Sequence, residues 1–333
     1  MPEQSPSSKR RGRALRFGAA CVVMSAVAGY VVVQYVTGGT GDPGCRVVSG
    51  KDGAASYEFT PEQAVNAATI AAVGTNRDMP ERAVAIALAT ALQESGLRNL
   101  THGDRDSLGL FQQRPSQGWG TAQQVTDPAY AAGIFYKHLA KVPDYTGLPL
   151  TVAAQRVQRS GYPEAYAKHE TDATLLAAAL TGTSAATLTC DGRLGATTTT
   201  TGPAAVRAAL ARDFGRDAVK EAAAKAGDAE KTSASTGGDV PAAETEGRTV
   251  TLPVSEGTTA EGRSARERGW QLAHWAVANA SALHIERVSY AGREWTAGNT
   301  DSRWRAAGAS STEAAGASGA GGGTGSVRIV TGQ

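Results

Sequence analysis

The strongest constraint on this chain is a stretch that carries no charge. No Asp, Glu, Lys or Arg occurs from Phe17 to Gly41, and the most apolar part, Phe17–Val36, is 20 residues long. A helix of that length spans about 30 Å, the thickness of a bilayer's hydrocarbon core. Lys9, Arg10, Arg11, Arg13 and Arg16 precede it against one acid, Glu3, and the next basic residue is Arg46. The positive-inside rule then keeps residues 1–16 in the cytoplasm as a basic tail. Residues 17–37 cross as a transmembrane signal anchor, and the bulk of the chain lies outside the membrane. A secretory signal peptide cut after Ala26-Val27-Ala28, near Ala28, is the other reading, and it exports the same bulk. The net charge of the whole chain is +2, so with +4 in the tail the remainder carries −2. That leaves no electrostatic case for nucleic acid as a partner.

Cysteine usage fits an oxidising compartment. Cys21 lies in the apolar stretch with Gly18 three residues before it, where a lipoprotein signal would carry Leu. Cys45 and Cys190 remain as an even pair bracketing 144 residues. They are expected to form a disulfide that clasps the ends of one domain.

Residues 45–190 read as that domain, and it is mainly α. Thr60-Pro61-Glu62-Gln63 has the form of a helix start, with Ala64, Ala67, Ala68, Ala71 and Ala72 in helical period behind it. Pro80-Glu81 opens a second helix over Arg82–Ser95, with Val84, Ala87, Leu88, Ala91 and Leu92 on one face and Gly96 as its stop. Asp127-Pro128 caps a third helix that runs through Leu139. Leu150–Val157, Tyr162–Lys168 and Leu175–Leu180 read as shorter helical pieces. No strong strand alternation occurs before residue 190.

Residues 191–247 read as a linker. It holds an Ala-rich helical spacer over Pro203–Ala226 and a polar stretch over 227–247. A small α+β unit follows at 248–333. Its expected strands are Thr249–Val254, Ile285–Tyr290, Glu294–Thr296 and Val327–Val330, with a helix at Trp270–Leu283. A Gly/Ala/Ser loop at 306–326 interrupts it and holds part of the chain's 40 glycines.

The chemistry concentrates in Ala91-Leu92-Gln93-Glu94-Ser95-Gly96 and Ser107-Leu108-Gly109-Leu110-Phe111-Gln112. Glu94 ends an apolar helix. The negative end of the helix dipole and the apolar surroundings both disfavour its charged form. A raised carboxyl pKa is what a general acid working near neutral pH requires. Gly96 and Gly109 let backbone approach a ligand closely. Gln112 offers a donor and an acceptor, and Trp119 a face for stacking on a sugar.

These residues resemble the lysozyme-like superfamily, in its soluble lytic transglycosylase and goose-type lysozyme branch. Glu-Ser at a helix end followed by a loop and Gly-Leu-Met-Gln is the pattern, with Phe111 here in the Met position. The resemblance covers roughly residues 60 to 180. It implies that Glu94 is the catalytic acid/base and that Ser107, Gly109, Leu110, Phe111 and Gln112 line a cleft for peptidoglycan glycan strands. His102-Gly103-Asp104-Arg105 is similar to the Gly-Asp-Arg segment of goose-type lysozymes, which implies a water-positioning role for Asp104. The family's later Tyr-Asn-Ala-Gly motif is missing; Gln158 or Tyr162 stands nearest to it. The resemblance thus implies either a glycan-cleaving enzyme or a non-catalytic cell-wall scaffold that keeps the fold. No cofactor is implied.

His102, His138, His169, His274 and His284 fall at no metal spacing and read as isolated surface residues, so no metal site is expected. In the C-terminal unit, Gly262-Arg263-Ser264, Ala276–Ala280 and Val288-Ser289-Tyr290 resemble the zinc-peptidase-like domain of some actinobacterial cell-wall proteins. Ala265-Arg266-Glu267 replaces the Asp-like position, and the last strand has no His. The implied role is binding or scaffolding without zinc, for a protein partner that the sequence does not name. Trp270, Trp275, Trp295 and Trp304 read as its core.

Overall fold

Thr60 opens the first long helix through a complete capping box. Its hydroxyl accepts from the Gln63 N–H (3.3 Å), and the Gln63 side chain accepts from the Thr60 N–H (2.7 Å). In the computed structural model, which describes residues 44–50, 55–159, 163–192, 201–215, 243–254, 262–298, 303–307 and 325–332, this helix is α1, Pro61–Thr75. Helix α2 covers Glu81–Ser95, α3 Ala122–Val125, α4 Pro128–Leu139 and α5 Leu150–Gln158. The expected piece at Tyr162–Lys168 is a 3-10 helix, Pro163–His169. It leads into α6, Glu170–Thr181, which starts earlier than the apolar run Leu175–Leu180 predicts. Helix α2 is the centre of the bundle. Ala83 to Leu92 are all buried, and α1, α4, α5, α6 and the 3-10 helix pack around it. Alanine dominates because helices pressed on every side leave little room between their axes.

Three short strands went unread in the sequence: β1 (Cys45–Val48), β2 (Ser56–Phe59) and β3 (Leu188–Cys190). They form an antiparallel sheet in the order β2-β1-β3. Three or four residues give a period-2 pattern too few repeats to stand out. Cys45 lies opposite Cys190 in the register, and the expected disulfide joins them.

The described chain is about half helical, with a separate β-sheet region in its C-terminal part. Helix α7, Pro203–Phe214, comes first. Strands β4 (Glu244–Glu246) and β5 (Thr249–Pro253) precede α8 (Ala265–Ala278) and the short α9 (Ala280–Leu283). Strands β6 (Ile285–Tyr290), β7 (Arg293–Thr296), β8 (Arg305–Ala306) and β9 (Ser326–Thr331) complete an antiparallel sheet, ordered β4-β5-β9-β6-β7-β8. Helix α8 begins five residues before the expected Trp270, because Ser264 and Glu267 form a second capping box.

The C-terminal unit and the helical bundle share one core. Every residue of α8 from Arg268 to Ala278 is buried. The helix packs against β6 and β9 on the sheet and against α1, α6 and β3 of the bundle. Gly182, at the end of α6 with φ +86°, allows this approach, since a Cβ there would overlap the Glu267 carbonyl. Trp295 and Trp304 are buried, as expected for core, and they also close an edge. Their indole N–H groups donate to the carbonyls of Cys190 (3.1 Å) and Leu188 (2.9 Å). Those carbonyls belong to β3, an outer strand of its sheet, so the indoles satisfy an edge that would otherwise be open.

The stretch expected to be a spacer contributes to this core. Ala205, Val206, Leu210 and Phe214 of α7 are buried, and Asp213 is 1% exposed. The Asp213 carboxylate takes a two-pronged bond from Arg212 (2.7 and 3.0 Å), the Trp275 indole N–H (2.8 Å) and the Thr69 hydroxyl (3.2 Å). A buried charge persists only when so fully paired. The remainder of the Ala-rich run, including Glu221–Lys225, lies outside the described residues, as do most of the loop at 306–326 and residues 17–37. Among the described residues no helix is long and apolar enough to cross a membrane.

His274 corrects the expectation of surface histidines, because it is fully buried. Its Nδ1 donates to the Ala179 carbonyl (2.7 Å), and its Nε2 accepts from the Thr187 N–H (3.2 Å). This neutral tautomer ties α8 to the end of α6 and the approach to β3. Burial lowers its pKa from 6.5 to about 4, against the opposing bond to Ala179. The unfolded chain therefore binds the proton first, and stability present above pH 6.5 is lost as pH falls towards 4. At 1.36 kcal/mol per unit the loss is about 3 kcal/mol. Urea midpoints of the wild type should fall over that window, and those of His274→Gln should be flatter. Equal slopes would remove His274 as the cause.

Candidate active site

Glu94 is the penultimate residue of α2, and the helix ends where Gly96 turns left-handed (φ +63°). The Gly96 N–H donates to the Leu92 carbonyl (3.0 Å) and the Leu97 N–H to the Ala91 carbonyl (3.1 Å). Helix α1 grips this turn from the side. Gln63 Nε2 donates to the Gly96 carbonyl and Asn66 Nδ2 to the Leu97 carbonyl, each at 2.8 Å. The end of α2 is thus fixed, and Glu94 with it.

The Glu94 carboxyl is half-buried. Tyr166, on the 3-10 helix, donates its hydroxyl to Glu94 Oε1 at 2.7 Å. Gln158, at the end of α5, hydrogen-bonds the same carboxyl. Burial raises the Glu94 pKa, and the bonds from Tyr166 and Gln158 pull against it. The result is an acid that keeps its proton longer than a surface carboxyl, with two donors ready for the anion it becomes.

The Gly109–Gln112 segment is a tight hairpin. Leu108 and Gln113 exchange backbone hydrogen bonds, both 3.0 Å, across it. Gly109 has φ +75°, and a Cβ there would overlap the Val125 carbonyl, so no other residue fits without displacing α3. Ser95 pins the hairpin to α2 by donating its hydroxyl to the Leu110 carbonyl (2.8 Å). The Gln158 side chain reaches the Phe111 carbonyl (2.8 Å), so one residue touches both Glu94 and the hairpin. Leu110 and Phe111 turn their side chains into the core, where Phe111 stacks on Phe135 with ring centroids 4.7 Å apart. As cleft residues they offer backbone only. Ser107 and Gly109 are buried too, and the Ser107 N–H closes a turn onto the Asp104 carbonyl. Gln112 is half-buried, with its amide nitrogen on the Gly109 carbonyl (3.2 Å) and its amide oxygen over Gly103.

Asp104, the residue expected to position a water, faces solvent. Its carboxylate is 91% exposed, and the nearest cation, Arg105, is 3.9 Å away. The acid built into this loop is Asp106. It accepts from Arg114 Nε (2.9 Å), the Ser116 N–H (2.8 Å) and the Ser116 hydroxyl (3.0 Å). Those bonds, Arg114 foremost, hold it well below the usual carboxylate range, which marks a loop anchor rather than a proton donor.

Trp119 lies flat on His138, with ring centroids 4.5 Å apart, and its carbonyl accepts from the Tyr130 hydroxyl. It walls a pocket of about 490 Å³ that Gln112 and Gln158 also line. The pocket therefore adjoins Glu94 through Gln158. Tyr162 lies outside the described residues. Tyr166 was missed in the sequence. The signal available was Pro163 opening a helical piece with a tyrosine three residues on, which is one turn of a 3-10 helix.

A family model described as VldE, C-terminal domain, matches residues 215–316. That is under a third of the chain, and it takes in α8, β6 and β7 of the C-terminal sheet region but none of the residues around Glu94. No curated protein matches the sequence.

Proposed function

We propose that this chain cleaves the glycan strands of peptidoglycan, with Glu94 as its general acid and base on a lysozyme-like helical domain. The observation that carries the reading is the Glu94 carboxyl, shielded enough to raise its pKa, held by Tyr166, and linked through Gln158 to an open pocket. The N-terminal apolar segment, as a membrane anchor, and the Cys45–Cys190 bridge support an extracytoplasmic location.

The mechanism follows from the number of placed carboxyls. Glu94 protonates the glycosidic oxygen as the bond to the anomeric carbon breaks. Tyr166 and Gln158 stabilise the carboxylate that remains. Inverting hydrolysis needs a second carboxyl about 6.5–9.5 Å away to activate water. Asp104 is exposed and paired only with Arg105 at 3.9 Å, so we carry the reading on Glu94 alone. Glu94 then takes the proton of the sugar's own 6-hydroxyl, whose oxygen closes on the anomeric carbon as a 1,6-anhydro ring.

The test is digestion of purified cell walls by the full chain in detergent, read by mass spectrometry. The expected muropeptides are one water lighter than hydrolysed ones. Products of full mass would overturn the single-carboxyl mechanism. Glycan binding with no release would favour a scaffold that keeps the fold without turnover.

A further inference from the structure

We infer that the pocket beside Glu94 is an anion subsite, built to hold the carboxylates of a peptide-bearing glycan. The identity of the ligand rests on the glycan-cleaving reading; the charge of the subsite does not.

The pocket, about 490 Å³, has the volume of an ordinary small-ligand site. One wall is the Trp119–His138 stack. Lys141 follows α4, and Arg156 and Arg159 close the end of α5, so three cations from two segments converge on one cavity. Arg114 also lines it but is occupied by Asp106 (2.9 Å). Among the described residues no acidic side chain lines the cavity. Among the described residues Lys141, Arg156 and Arg159 have no carboxylate partner.

Two further features separate this site from an ordinary basic surface. Arg159 ends α5 in the left-handed region (φ +53°), a position that glycine fills at less cost. The positive field also reaches the pocket wall. His138 is lowered from its ordinary pKa first by burial and then by Lys141, Lys137 and Arg159. It therefore stays neutral at neutral pH and serves as a flat partner for Trp119. Like charges gathered around a concave wall focus a field that attracts anions. A neutral polysaccharide gains nothing from them. A glycan whose sugars bear carboxylate-ended peptides matches both the stacking wall and the charge.

The test compares the full chain with the Arg156→Gln/Arg159→Gln double variant, both in detergent. The substrates are peptide-bearing strands and the same strands with their peptide carboxylates amidated. Two lost pairings at an exposed rim should cut the preference for the strands with free carboxylates roughly tenfold, mainly through KM, and high salt should erase the difference between the proteins. An unchanged preference overturns the proposal. A second arm follows the His138 imidazole by NMR during titration with muramyl dipeptide. Binding should raise the His138 pKa, and amidation of the ligand's carboxylate should abolish the shift. Inorganic phosphate acting equally well overturns the carboxylate assignment. If neither strand is cleaved and the carboxylate-dependent shift persists, the subsite stands and the enzymatic reading falls. Absence of the shift sinks the subsite whatever the chain cleaves.

Discussion

Glu94→Gln is expected to lower glycan cleavage by about 10²–10⁴-fold, the usual contribution of a positioned proton donor. Gln keeps the shape and can still accept from Tyr166, so the surrounding contacts persist and only the transferable proton is lost. The same change should not destabilise the fold. A half-buried carboxyl whose pKa is raised by burial costs stability once pH passes its unfolded value, because the folded chain then holds the proton more tightly than the unfolded one. At neutral pH the Gln variant escapes that cost. The expected pair of results is lost turnover with an equal or slightly higher urea midpoint. Such a trade of stability for chemistry is typical of functional residues. For the wild type, activity should decline as pH rises through the Glu94 pKa, since the acid must be protonated to act. Equal muropeptide release by wild type and Glu94→Gln would remove Glu94 as the acid.

The parts of this fold that were legible in the sequence are those with a local physical signal. Thr60 with Gln63, Asp127 with Pro128, and Gly96 each fix a helix end through contacts within a few residues, and the structure places all three where their chemistry puts them. Strands β5, β6, β7 and β9 were legible because they combine alternation with β-branched residues. Strands β1 to β3 were not, because three or four residues show too little alternation and β3 finds its partner β1 only across the whole helical domain. The burial of α8 was hidden for a related reason. His274 and Gln271 look like a solvated face, yet each finds its partner on another segment. The site divides the same way. Glu94 and its glycine were readable as a motif. Gln158 was legible as one of two alternatives, but Tyr166 and the cations of the pocket come from separate segments and meet only once α5 and the 3-10 helix have packed on α2. A loop's sequence does not say which of two neighbouring acids is anchored, and here Arg114 and Ser116 hold Asp106 while Asp104 faces solvent.

Reduction of the Cys45–Cys190 bond should cost more stability than any single side chain considered above. The bond joins residues 145 apart in sequence. On the chain-entropy relation a closed loop of that length stabilises the folded state by about 5 kcal/mol, because the unfolded chain loses the freedom to separate its ends. Position adds a second effect. Strand β1 is the middle strand of its sheet, and β3 is the strand whose outer carbonyls receive the indoles of Trp295 and Trp304. The bridge therefore holds together the strand pair on which the C-terminal sheet region is seated. The measurement is urea unfolding of the full chain with and without reductant, followed by tryptophan fluorescence; four of its five tryptophans lie in the C-terminal unit. A large drop in midpoint is expected, with the indole signal changing no later than the helical signal in circular dichroism. The Cys45→Ala/Cys190→Ala variant should match the reduced protein and be indifferent to reductant, which separates the bond from any other effect of the reagent. Coincident midpoints for oxidised and reduced wild type would show that the antiparallel pairing of β1 with β3 and the shared core around α8 already hold these ends together without the covalent link.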